Sequence, residues 1–132
     1  MKKLLLILLL STSFFAKAQY SQNLDTIKCP GPLMENYVRQ IYSDSLMSSY
    51  VILIPMEVKE HKHKFHTEQV TILQGVGEMT LGDKTFTIKK GDVIFIPKNT
   101  FHSVKSKSSI PLKVQSVQTP MFDGKDRIFK EN

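Results

Sequence analysis

The decisive stretch of this chain is His61-Lys62-His63-Lys64-Phe65-His66-Thr67-Glu68, which holds three of the four histidines. In an extended strand, successive side chains point to opposite faces. His61 and His63 would therefore share one face. The lysines after them would point to solvent, where an unpaired ammonium group costs least. Two imidazoles on one face, followed closely by the carboxylate of Glu68, outline a site for a first-row metal ion.

A second motif follows the first one downstream. The chain reads His61-x-His63-x4-Glu68-x6-Gly75 and then Gly91-x5-Pro97-x-Asn99-x2-His102. These residues resemble the two motifs of the cupin family. The first family motif runs Gly-x5-His-x-His-x3-4-Glu-x6-Gly, and the second runs Gly-x5-Pro-x-Gly-x2-His-x3-Asn. The resemblance covers roughly residues 46–118.

Three positions depart from the family pattern. Pro55 stands at the first glycine of the first motif, and Ser106 stands at the last asparagine of the second. Neither is a ligand position. Asn99 replaces a glycine, and Asn tolerates the left-handed backbone that such a glycine usually adopts.

The resemblance implies a fold and a metal site. The fold is the all-β double-stranded β-helix, also called the cupin jelly-roll barrel. The implied ligands of one divalent transition metal are His61, His63, Glu68 and His102. Three imidazoles and one carboxylate suit Fe, Mn, Ni, Cu or Zn, and the sequence does not separate these metals. Without an ion, so many polar groups inside a barrel would be costly.

Each implied ligand also has a simpler explanation. His61 and His63 could be exposed residues of a basic loop. Glu68 could pair with a surface lysine, and His102 could be a core histidine that bonds to backbone. His66 lies between His63 and Glu68, where the family tolerates any residue. We expect it at the rim of the barrel rather than as a substitute ligand.

The rest of the sequence independently predicts an all-β fold. Short apolar or alternating runs recur between turns that contain Gly, Pro or Asn. Strands are predicted at residues 49–58, 68–74, 77–81, 85–89, 93–96, 101–105 and 110–118. Residues 34–41 could form a helical turn or an edge strand. The predicted core consists of Val70, Ile72, Val93, Phe95, Phe101, Val104 and Val114. Five other residues are predicted to form the barrel wall rather than to act in catalysis: Tyr50, Met56, Gln74, Met79 and Gln115.

The chain is predicted to contain four parts. Residues 1–18 begin with Lys2-Lys3, continue with an apolar run at residues 4–10 and end in Ala16-Lys17-Ala18. This pattern is typical of a cleavable signal peptide, and the alternative is an uncleaved membrane anchor. An N-terminal arm (19–45), the barrel (46–118) and a C-terminal tail (119–132) would follow. Phe122, Ile128 and Phe129 of the tail could dock on a sheet or on a partner subunit. We expect the mature protein in the bacterial periplasm or outside the cell.

Charge and cysteine content narrow the possible functions. Removing the three lysines of residues 1–18 lowers the net charge from +6 to +3, without a basic cluster that would suggest nucleic-acid binding. No membrane association is expected after cleavage of the signal peptide. The single cysteine, Cys29, excludes an internal disulfide and leaves pairing between chains open.

Three functions remain open. The first is a metal-dependent enzyme that acts on a small anionic or sugar-derived compound, because cupins include dioxygenases, isomerases, decarboxylases and lyases. The second is a non-catalytic module that binds a metal or a small ligand, and the third is a structural domain. An octahedral ion would leave two positions open to substrate, whereas four ligands would fill a tetrahedral zinc. The resemblance also implies a homodimer.

Overall fold

The computed structural model describes residues 21–131. The predicted signal peptide therefore lies outside the described residues. No helix in the described part is long and apolar enough to cross a membrane. One short 3-10 helix occupies Leu24–Thr26. The strands are β1 (Tyr37–Ser43), β2 (Ser48–Ile54), β3 (Glu57–Lys62), β4 (Thr67–Gln74), β5 (Val76–Leu81), β6 (Lys84–Lys89), β7 (Val93–Ile96), β8 (His102–Ser106), β9 (Leu112–Thr119) and β10 (Ile128–Phe129).

The strands form two five-stranded antiparallel sheets. One has the order β1-β2-β9-β4-β7, and the other has the order β10-β3-β8-β5-β6. This arrangement confirms the predicted all-β jelly-roll fold. The facing sides of the sheets enclose one apolar core of Ile54, Ile72, Met79, Ile88, Ile94, Ile96, Val104, Leu112 and Val114.

The N-terminal arm covers the outer face of the first sheet. Ile27 of the arm packs with Val51 and Leu53 of β2, and Leu24 and Leu33 join the same cluster. This explains why β2 is buried on both faces. The segment at residues 34–41, which could have been helical, supplies the edge strand β1 beside β2.

A break after β2 carries the chain from one sheet to the other. The sequence predicted one strand over residues 49–58, with Pro55 indicating an edge or a bulge, and the structure divides this stretch into two strands at Pro55 and Met56. Proline has no N–H for the ladder and therefore ends regular pairing. The chain bends there, and β3 begins at Glu57 beside β8. Met56, predicted as barrel wall, is consequently exposed in the bend. The break matters for function, since it places β3 and its histidines beside β8.

Two residues of the predicted core point outward. Val93 and Phe95 are 59% and 62% exposed, whereas Ile94 and Ile96 between and after them are buried. β7 lies at the edge of its sheet, where its outer face can remain uncovered. A run of four apolar residues shows no alternation, so the sequence could not indicate which pair faces inward. Ile72, Val104 and Val114 are buried as predicted, Val70 packs beside them, and Phe101 is half-buried.

Candidate metal centre

Three histidines meet where β3, β8 and the loop after β3 come together. His61 of β3 lies opposite His102 of β8 in the strand register. His63 follows the end of β3, and its carbonyl accepts a hydrogen bond from the N–H of Asn99 at 2.7 Å. Asn99 adopts the left-handed conformation, with φ 63°, that the sequence predicted for it. All three histidines are buried, and one ring nitrogen from each lies within 4.8 Å of the others. The group could therefore hold a metal ion.

The backbone fixes the orientation of each imidazole. Each Nδ1 contacts a carbonyl oxygen, which can only accept a hydrogen bond, so Nδ1 carries the proton. Nε2 is then left with a lone pair, which is the form that binds metal ions. The three contacts are His61 to Lys59 at 2.8 Å, His102 to Thr100 at 3.0 Å, and His63 to Asp126.

The Nε2 atoms of His63 and His102 are buried and have no hydrogen-bond partner in the described chain. Each lies 3.4 Å from Oε2 of Glu68. A nitrogen lone pair and a carboxylate oxygen repel each other unless a proton or a cation lies between them. Buried groups of this kind are rarely left unsatisfied. The donor set therefore fits a divalent metal ion.

Glu68 of β4 lies on the sheet opposite β3 and β8 and is held in place by the neighbouring strand of its own sheet. Its Oε1 accepts a hydrogen bond from the hydroxyl of Ser116 on β9. Burial alone would raise the pKa of Glu68, but the close approach of the His102 and His63 imidazoles and the hydrogen bond from Ser116 outweigh it and keep the pKa well below its usual range. Glu68 is thus an anion beside the three-histidine group, and its role as the fourth ligand stays a prediction.

The C-terminal tail closes over the loop that contains His63. The carboxylate of Asp126 accepts hydrogen bonds from the backbone N–H groups of Lys64, Phe65 and His66, at 2.9, 2.7 and 3.2 Å. Its backbone carbonyl contacts Nδ1 of His63. Burial opposes ionisation of Asp126, yet a hydrogen bond from the His66 side chain, together with those from the N–H groups of Phe65 and Lys64, lowers its pKa to about 2. Asp126 therefore joins the tail to the metal centre through two different groups.

His66 lies outside the three-histidine group. Its Nδ1 is 2.5 Å from the Asp126 carboxylate, and its Nε2 is 3.0 Å from the carbonyl of Met121. Both ring nitrogens are therefore engaged by the tail, and His66 is not part of the three-histidine group. Although we expected His66 at the rim, it is buried beneath the tail.

The match to known proteins decides the family. Residues 50–118, more than half of the chain, match the family model described as "Cupin domain". The chain belongs to the cupin family. A cupin relative of 31% identity over 113 residues is the uncharacterized protein MJ1618 of Methanocaldococcus jannaschii, and the match covers 83% of this chain and 90% of that protein.

Solved structures agree on the fold. A conserved protein from Klebsiella pneumoniae with a double-stranded β-helix domain superposes with a TM-score of 0.73 at 18% identity, covering 87% of this cupin and all of that chain. Pac13, a nucleoside dehydratase from Streptomyces, superposes with a TM-score of 0.60 at 12% identity, covering 71% of this cupin and 85% of that chain. At these identities, both show the cupin fold alone.

The histidines of this cupin differ in how readily they take up a proton. Burial, together with the neighbouring charge of His102, lowers the pKa of His61 to about 4. Burial also acts to lower the pKa of His63, but the nearby Glu68 carboxylate and the hydrogen bond to the Asp126 carbonyl outweigh it and raise that pKa. His61 therefore stays neutral at neutral pH, and protons compete with a metal ion more strongly at His63 than at His61.

A cavity of about 100 Å³ lies next to the histidines inside the cupin barrel. By the same measure, one ordered water needs roughly 10–15 Å³, so the cavity has room for several waters or for part of a small ligand. His61, Glu68 and His102 line it, and apolar core residues form most of the remaining wall. Arg127 of the tail also lines it and is the only lysine or arginine to do so among the described residues.

Sequence reasoning missed Asp126 and Arg127. Both belong to the tail, which was predicted to run over the surface and to dock through its apolar residues. The tail does dock, since Phe122 packs its ring 5.3 Å from that of His63 and β10 pairs with β3. Asp126 lies about sixty residues from the loop it binds, and no motif connects the two. The sequence held no signal that could have found either residue.

Proposed function

We propose that this protein is an exported, mononuclear metal-binding cupin that acts as a metal-dependent enzyme on a small anionic or sugar-derived compound. The observation that carries the proposal is the pair of buried Nε2 atoms of His63 and His102, which lack partners and face the carboxylate of Glu68. A purely structural core would not leave such groups unsatisfied.

The proposed ligands are His61, His63, Glu68 and His102, around one ion of Fe, Mn, Ni, Cu or Zn. Three neutral imidazoles and one carboxylate leave a divalent site with a net charge of about +1. When bound, an octahedral ion would supply Lewis acidity and open positions for an oxygen donor of the substrate. An anionic oxygen is the preferred donor at such a positive site.

The protein's own groups have three roles in this proposal. Backbone carbonyls hold the imidazoles so that each Nε2 points to the ion. Ser116 holds the carboxylate of Glu68. The apolar wall, which includes Val70 and Val114, keeps bulk water away and so strengthens the electrostatic contacts inside the cavity.

The class of reaction is proposed as dioxygenase, isomerase, decarboxylase or lyase. That Pac13 is a nucleoside dehydratase supports the idea that a barrel of this size can carry catalysis on a sugar-derived compound. Pac13 is too distant in sequence for its reaction to be assigned here. Periplasmic or extracellular localisation and a homodimeric state belong to the same proposal, and they can be checked by cell fractionation and by light scattering of the purified protein.

The test compares the wild-type chain with His102→Ala and with the control variant Lys105→Ala, which changes an exposed residue of the same strand. We expect one metal ion per wild-type chain by elemental analysis. We expect His102→Ala to bind that metal at least on the order of 100-fold more weakly, which is at or beyond the loss typical for residues that only support a ligand. Equal affinity in all three proteins would refute the metal site.

Catalysis is tested on the same proteins. Each metal-loaded form is incubated with small carboxylates and sugar derivatives, and oxygen uptake and products are measured. Turnover that disappears in His102→Ala and persists in Lys105→Ala supports an enzyme. The alternative is a non-catalytic binding module, which is favoured by the lack of a further acid or base on the cavity wall of the described chain beyond Glu68 and the histidines. Tight binding of a compound without turnover under any metal would favour that alternative.

A further inference from the structure

A groove continues from the metal cavity toward the outside of the barrel. It has a volume of about 530 Å³, within the ~300–1,000 Å³ typical of small-molecule sites. Val38, Ile52 and Arg127 line both the cavity and the groove, so the two spaces are neighbours that meet at these residues. A ligand that binds the metal with one end can therefore extend into the groove.

Arg127 stands at this junction with its backbone fixed on both sides. Before it, Asp126 is bound to the loop at residues 64–66, and after it, β10 pairs with β3. Within residues 21–131, Arg127 forms no ion pair.

The single carboxylate of the groove does not neutralise Arg127. Asp123 accepts a hydrogen bond from the N–H of Lys125 at 3.0 Å, and its other oxygen lies 3.9 Å from Nζ of the same lysine. A guanidinium without an acidic partner suits a carboxylate or phosphate, which it binds through two parallel hydrogen bonds. An anionic group of the ligand would supply the partner that the chain does not.

Gln118 presents a second unsatisfied group in the same groove. It is 3% exposed, and it lies on β9 opposite Glu68, on the inward face shared with Ser116. Its buried side-chain oxygen has no hydrogen-bond partner in the described chain. A carboxamide both donates and accepts hydrogen bonds, as a hydroxyl group does. A ligand hydroxyl would therefore satisfy it.

Tyr50 completes the polar part of the groove. Its hydroxyl donates to the carbonyl of Phe122 at 3.1 Å, which leaves the oxygen free to accept a hydrogen bond from a ligand. The ring of Phe122 lies between this tyrosine and the histidines, 6.5 Å from Tyr50 and 5.3 Å from His63. The acceptor is thus held at a fixed place in the groove wall.

We propose that this groove binds a small hydroxylated anion, with Arg127 holding the anionic group and with Gln118 and Tyr50 holding hydroxyl groups. The inference rests on the proposed function, because it names the substrate class and the specificity residues of the same metal site.

The experiment measures binding to the metal-loaded protein by calorimetry, with three probes. D-Gluconate has both a carboxylate and hydroxyls, D-glucose lacks the carboxylate, and butyrate lacks the hydroxyls. We expect gluconate to bind at least about tenfold more tightly than either of the others, which is the gain expected from one charge-assisted hydrogen bond. Gluconate binding no tighter than glucose binding would overturn the proposal.

Variants assign the two roles. Arg127→Gln should weaken gluconate binding about tenfold or more at unchanged metal content. The control Lys130→Gln changes an exposed basic residue of the same tail whose partner, Glu60, does not line the groove, and it should leave gluconate binding unchanged. Gln118→Met should weaken gluconate and leave butyrate unchanged. Since Arg127 is exposed, its variant keeps the test valid even if Gln118→Met does not fold. Gluconate binding that survives Arg127→Gln with metal content intact would overturn the inference alone. Failure of the wild-type chain to take up metal would instead refute the proposed function.

Discussion

Replacement of Asp126 by alanine tests whether the C-terminal tail supports the metal centre. In the structure, the Asp126 carboxylate accepts hydrogen bonds from the three backbone N–H groups of residues 64–66 and contacts the ring of His66. The Asp126→Ala variant removes all of these acceptors. It keeps the backbone carbonyl that contacts His63, so any effect on that histidine comes from release of the tail.

The expected size follows from these contacts. A hydrogen bond to a charged group contributes about 1.5–3 kcal/mol when its partner would otherwise be buried without one. Lys64 and Phe65 are exposed, so their N–H groups can turn to water and contribute less. His66 is buried and loses its partner in full. We expect a loss of about 3 kcal/mol in the free energy of unfolding, or about 10 °C in Tm for a domain of this size.

Metal affinity should fall as well. A residue that supports a metal-binding histidine typically contributes 10–100-fold in affinity, and we expect about tenfold here since the carbonyl remains. Tm is measured by thermal unfolding of the metal-free protein, and metal affinity by competition with a chelator. The control is Asp123→Ala, which also removes a carboxylate from the tail. Asp123 is exposed and, in the described chain, its carboxylate contacts only Lys125, two residues further along the tail. Equal Tm values for the two variants, or a lower Tm with unchanged metal affinity, would refute the reasoning.

Two more predictions concern pH and backbone conformation. Because the pKa of His63 is raised and a protonated imidazole cannot bind a metal, metal affinity should fall as the pH is lowered from above neutrality into the mildly acidic range, beginning at a higher pH than for an ordinary histidine, as measured by chelator competition. Affinity that is constant over this range would contradict the assignment. Gly75 has φ +84°, and a Cβ there would lie 3.0–3.1 Å from Ser108, Leu112 and Pro111, so Gly75→Ala should cost about 2–4 kcal/mol in urea unfolding. Gly91 has φ +94° and no atom within 4 Å of its Cβ position, so Gly91→Ala should lower the free energy of unfolding by only about 1–2 kcal/mol. Equal losses in the two variants would show that crowding at Gly75 contributes nothing.

Local sequence rules predicted the centre of the molecule better than its edges. The alternation of side chains in a strand placed His61 and His63 together, and the second motif brought His102 to them. The same rule failed at Val93 and Phe95, because a run of apolar residues has no polar partner to mark the outer face. At Pro55, which indicated an edge or a bulge, one predicted strand became two.

The contacts that orient the histidines could not be predicted from the sequence. They use backbone carbonyls, which every residue has and which therefore leave no trace in the residue pattern. Asp126 illustrates the same point, since one of its two contacts is made by its main chain. Arg127 acquires its position only because the residues on either side of it are bound to distant strands. Such positions depend on how the tail packs, which no spacing in the chain encodes.

The tail has a consequence for how this barrel could be altered. A chain that stops at residue 118, where the family match ends, would retain all four proposed donors and lose both Asp126 and Arg127. The residue proposed to select the ligand thus lies outside the segment that carries the four proposed donors. Exchanging this terminal stretch between related barrels should change which compounds are accepted, and the exchange must keep Asp126, because Asp126 orients His63.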